Sequence, residues 1–168
     1  MSITNLAEGY RVSSESFLEL VATLNESDLD RSDNEGWSPR QVIHHLADSE
    51  AQSYARLRRL IAEPGTLIQG YNEGLWASNA TLNCTNRDIA SAIEVFTAVR
   101  QSSFELLLTL TEEQLSNQCI HTESGPYTVR DWLSTYTRHP LDHAEQIRKQ
   151  DRKSTRLNSS HTVISYAV

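Results

Sequence analysis

Apolar residues recur at helical spacing in four long stretches separated by polar segments. Over residues 3–24, Leu6, Tyr10, Val12, Phe17, Leu18, Val21 and Leu24 supply apolar positions at roughly helical spacing. Over 39–63 the apolar positions are Val42, Ile43, Leu46, Tyr54, Leu57, Leu60 and Ile61, and Pro64-Gly65 ends the pattern. Over 87–109 they are Ile89, Ile93, Phe96, Val99, Phe104, Leu107 and Leu108, and from Thr128 onward the stripe is Trp132, Leu133, Tyr136, His139, His143 and Ile147. The starts carry capping chemistry: Ser38 with Gln41 and Thr111 with Gln114 form capping boxes, and Thr128 can cap the last helix. Residues 31–36 read as a loop, and the roughly 20 residues from Thr66 to Cys84 as a long connection of the length used for lids. Pro140 sits inside the fourth helix, where it frees the Tyr136 carbonyl and predicts a kink.

The pattern is weakly repeated. Thr23 to Leu29 parallels Thr109 to Leu115, and Trp37-Ser38-Pro39-Arg40 parallels Tyr127-Thr128-Val129-Arg130. Each half is then helix, short turn, loop and capped helix, which predicts an all-α four-helix bundle with a long central crossover.

Composition narrows the function classes. At 168 residues and 38% hydrophobic, the chain fits one domain with a sizeable core. A formal charge of −7 gives no basic footprint for nucleic acid or an anionic membrane. No apolar run is long enough to span a bilayer and no secretory leader is visible, so a cytoplasmic protein is expected. Cys84 and Cys119, in polar surroundings, are expected to be reduced thiols. Asp151 to His161 resembles an in-frame translation of a sequencing-adapter oligonucleotide. Residues 151–168 are therefore set apart from the domain at 1–150, with a disordered tail and a lost native C-terminus expected.

The candidate chemistry lies in histidines. His139 and His143, four apart, share one helix face and can reach one ion. His45 falls near the buried side of the second helix, so a bundle can bring it against that pair. Three neutral imidazoles would leave a coordination position open, the catalytic style of zinc site. Packing or surface placement is the ordinary role of a lone histidine, and stands as the alternative for each. His121 reads as a surface residue, and His44, about 100° around the helix from His45, as a surface residue or one backing a ligand. Asp48, one turn past His45, is a candidate to orient a ligand or accept a proton, against a plain solvated charge; Glu50 and Asp142 read as solvated charges. Tyr71 and Trp76 are weak candidates for a substrate pocket. There is no phosphate-binding glycine loop, GxSxG elbow or Ser-His-Asp arrangement.

Three separated motifs carry a family resemblance. The stretch Trp37 to Glu50, WSPRQVIHHLADSE, the stretch Gly70 to Ala77, GYNEGLWA, and His139-Pro140-Leu141-Asp142-His143 followed by AEQI resemble the DinB/YfiT-like family over residues 1–150. The resemblance implies a four-helix bundle with a divalent metal, zinc or nickel, held by His45, His139 and His143, and a homodimer. It also implies metal-dependent hydrolases acting on small molecules and, in several branches, enzymes transferring a low-molecular-weight thiol to an electrophile. A non-catalytic metal-binding stress-response module is a further alternative, and predicts a fourth protein ligand such as Asp48 or Glu50.

Overall fold

The capping residues start the helices where the sequence places them. In the computed structural model, which describes residues 2–32 and 36–160, α1 spans Ile3–Val21, α2 Glu26–Leu29 and α3 Pro39–Ala62. Ser38 Oγ accepts from the Gln41 amide at 3.3 Å, and Gln41 Oε1 accepts from the Ser38 amide at 3.1 Å. The capping box thus forms with Pro39 in the first turn. In the second half, α5 spans Ala90–Leu107, a 3-10 turn covers Glu113–Ser116, and α6 spans Val129–Ser160. Thr111 and Gln114 bond reciprocally before the turn, and Thr128 and Asp131 before α6. Two helix ends are shorter than the periodicity predicts. Thr23 Oγ1 donates to the Leu20 carbonyl and closes α1 early, and Asp88 accepts from the Ala90 amide and delays α5.

The four long helices form the expected bundle. α3 packs on α5 and α1 on α6, while α1–α5 and α3–α6 contacts close the square. The long connection is not one irregular loop, which corrects that expectation. It contains β1, Leu67–Ile68, and a short helix α4, Glu73–Ser78. β1 pairs in parallel with β2, Gln118–His121, which pairs antiparallel with β3, Gly125–Thr128. Strands this short carry no readable alternation. His121 is buried on β2, with Nδ1 accepting from the Glu123 and Ser124 amides at 3.3 and 3.4 Å, so its surface reading is overturned.

The core divides into two apolar clusters. One gathers Tyr10, Leu57, Leu107 and Trp132; the other gathers Phe17, Leu46, Phe96 and Ile147. A polar layer lies between them, centred on Arg100 of α5. Its Nε donates to Ser14 Oγ at 2.6 Å, Nη1 to Glu50 Oε1 at 2.9 Å and the Tyr136 carbonyl at 2.7 Å, and Nη2 to the Tyr10 carbonyl at 2.6 Å and Ser13 Oγ at 2.8 Å. All five guanidinium N–H groups are thereby used, and all four long helices take part. The Tyr136 carbonyl is the one Pro140 cannot serve, and Arg100 takes the place of the missing amide. Glu50, at 0% exposed, is no solvated charge; it is buried against Arg100 and also accepts from Ser53 Oγ at 2.7 Å.

α6 continues through Pro140 to Ser160. Residues 33–35 of the predicted loop and 161–168 of the adapter-like tail lie outside the described residues. Among the described residues no helix is long and apolar enough to cross a membrane. Cys84 and Cys119 are both free and buried.

Candidate metal centre

α3 and α6 lean together where the polar layer meets the surface, and three imidazoles meet there. His139 Nε2 lies 3.2 Å from His45 Nε2 and 3.1 Å from His143 Nε2. Potential ligand atoms of all three lie within 4.8 Å of one another. A tetrahedral ion with metal–nitrogen bonds of about 2.0–2.1 Å spaces its nitrogens about 3.3 Å apart, so the donor set fits. The proton bookkeeping also fits. His143 Nδ1 faces Gln146 Oε1 at 2.9 Å and donates to it, which leaves His143 Nε2 bare. His139 Nε2 touches two other nitrogens and can share a proton with one of them at most. Its other contact then sets lone pair against lone pair, a clash that a shared cation relieves. His139 Nδ1 is buried without a partner.

Burial keeps these rings neutral. Desolvation, then the charge of His143, brings the His45 pKa down to about 3, and desolvation with both neighbouring histidines brings His139 down to about 2. His143 is lowered too, chiefly by desolvation, with Gln146 and Glu73 pulling back. Trp37 walls the group, its ring centroid 4.7 Å from that of His45 and stacked on His143 at 6.5 Å. The Trp37 carbonyl accepts from Gln150 Nε2 at 2.8 Å, which ties this wall to α6.

His139 and His143 open into a cavity of about 710 Å³ whose lining includes Ser49, Arg56, Tyr71, Glu73 and Tyr136. Tyr71 is among the residues lining it, and Trp76 packs against Tyr71 with ring centroids 4.7 Å apart. Glu73, first residue of α4, places Oε2 3.8 Å from His45 Nε2. Sequence reasoning passed over Glu73 and Trp37 as individual residues, though both sit in the quoted motifs; an acid at the start of a short helix is usually a capping charge. Asp48 stands apart from the three histidines. Burial raises its pKa, and His44 and Arg87 pull it back. His44 is buried rather than on the surface, its Nε2 3.2 Å from the Arg87 carbonyl. Glu50 is engaged by Arg100 and does not reach the imidazoles either.

The model of the DinB superfamily matches residues 10–147. The chain belongs to the DinB superfamily. Within it, the chain is 34% identical over 128 residues to an Oceanobacillus iheyensis protein named "Putative metal-dependent hydrolase", covering 76% of this chain and 73% of that one. It is 28% identical over 137 residues to "Putative metal-dependent hydrolase YfiT" of Bacillus subtilis, covering 80% of this chain and 76% of that one. The solved structure of Bacillus subtilis YfiT, described as having an unusual four-helix bundle topology, superposes with a TM-score of 0.83 over 92% of this DinB chain and 90% of YfiT at 24% identity. The two share the fold.

Proposed function

We propose that His45, His139 and His143 hold one divalent metal ion, zinc or nickel, and that this centre hydrolyses a small molecule bound in the adjoining cavity. The observation that carries the reading is the convergence of three neutral imidazole nitrogens, two of whose rings, His139 and His143, line the cavity. When bound, the ion supplies Lewis acidity and a water that ionises near neutral pH. The protein's own groups do the rest. Gln146 fixes the His143 tautomer, and Trp37 shields His45 from solvent. Glu73 Oε2, on the cavity side of His45, is within reach to accept a proton and pass it to a leaving group. A cavity of about 710 Å³ also has room for two small reactants, which favours a second reading, transfer of a low-molecular-weight thiol onto an electrophile.

Elemental analysis of the purified protein beside His45→Ala and His139→Ala tests the centre. Near one divalent ion per chain, lost in both variants, is expected. No bound ion after reconstitution with zinc or nickel overturns the reading. Metal-loaded protein is then assayed on ester and amide substrates with and without added thiol, and product identity separates hydrolysis from transfer.

A further inference from the structure

The far wall of the cavity holds a cation without an anion. Arg56 of α3 is half-buried, and its Nη1 and Nη2 donate only to neutral acceptors: the Tyr136 hydroxyl at 3.1 Å and the Gln69 carbonyl at 3.0 Å. Among the described residues no carboxylate comes within ion-pair distance of it. Arg56 Nε and the Tyr71 hydroxyl beside it are both buried with no hydrogen-bond partner, and the guanidinium lies 6.0 Å from the Tyr71 ring. Burial pushes the Tyr71 hydroxyl up, so it stays protonated and remains a donor. Buried donors are ordinarily satisfied, so the unused Arg56 Nε and Tyr71 hydroxyl call for an acceptor from outside the chain.

We infer that Arg56, with Tyr71, is the binding subsite for a carboxylate group of the substrate, so that the cavity takes a small carboxylate-bearing molecule with its reacting bond toward the histidines. This rests on the metal-centre reading above. The geometry suits it. Tyr136 holds Arg56 through its hydroxyl, and its ring stands edge-on to His139 at 6.2 Å between centroids, so one tyrosine side chain links Arg56 to the imidazoles. A planar guanidinium fork matches a carboxylate, and the bond is charge-assisted. Glu73, Glu123 and Asp142 also border the cavity, so a singly charged carboxylate at Arg56 is favoured there over a doubly charged phosphate group.

The test is calorimetric binding of acetate, succinate and glutarate to metal-loaded wild type, Arg56→Gln and Tyr71→Phe. Acetate can engage one end at a time, whereas a dicarboxylate can engage the metal and Arg56 together. At least about tenfold tighter binding of a dicarboxylate than of acetate is expected in wild type, abolished in Arg56→Gln and weakened in Tyr71→Phe, with metal content unchanged. Equal affinity for acetate and the dicarboxylates in wild type, or a preference that survives in Arg56→Gln, overturns the inference. If Arg56→Gln fails to fold, Tyr71→Phe decides: an unaltered preference there overturns it. If wild type takes up no ion, the metal-centre reading fails separately. Glutarate binding by the metal-free protein, present in wild type and absent in Arg56→Gln, then still supports the subsite, and its absence in wild type overturns it.

Discussion

Burial decides the protonation of His45 and His139, and with it a pH dependence. In the unfolded chain a histidine titrates near 6.5, whereas in the fold His45 titrates at about 3 and His139 at about 2. Below pH 6.5 the unfolded chain gains protons that the folded chain refuses. The stability linked to these groups is therefore complete above 6.5 and is lost as pH falls toward 3. Urea unfolding of metal-free protein should give a lower midpoint at pH 5 than at pH 7.5, and equal midpoints would contradict the burial argument. Glu73 has a separate signature. If it moves the proton, Glu73→Gln should lower turnover by about 10²–10⁴ while leaving metal content intact. Metal loss in the same variant would make Glu73 a ligand instead. The His139 and His143 spacing was readable because four residues bring two side chains over one another on a helix. His44 was misplaced because it points about 100° away from His45 around the helix, and His121 because its neighbours are polar. Their actual partners are backbone groups, the Arg87 carbonyl and the Glu123 and Ser124 amides, which sequence pattern does not display.

At the level of elements, α6 depends on a side chain from another helix. Pro140 leaves the Tyr136 carbonyl open within the turn that carries His139, and Arg100 fills it. Arg100→Leu strands Glu50 without a counter-charge in the interior and should cost about 3–5 kcal/mol. Pro140→Ala gives the Tyr136 carbonyl a local amide again, so part of the role of Arg100 becomes redundant. The Arg100→Leu penalty should then be smaller in the Pro140→Ala background, with a coupling of about 0.5–3 kcal/mol in chemical denaturation. Strict additivity would mean that the two sites act independently. The capped starts of α3 and α6 were legible because capping is local chemistry. The three-stranded sheet was not, because Leu67 and Ile68 become a strand only by pairing with residues some 50 positions away.

For the whole molecule, the internal repeat made the bundle readable, since two copies of helix, turn and capped helix leave few ways to bury four stripes. The contents of the crossover were less accessible. α4 and the segment before it border the cavity through Tyr71 and Glu73, and only the folded chain shows which of their side chains face the histidines. The central guanidinium has a consequence for motion. A side chain shared by α1, α3, α5 and α6 lets none of them depart singly, because each departure strips acceptors from a buried cation that the others must then leave unsatisfied. Breathing of the bundle should therefore be concerted. In native-state amide hydrogen exchange, the slowest amides flanking this level on all four helices should report one common opening free energy, while α4 and the β2–β3 hairpin exchange through smaller, separate openings.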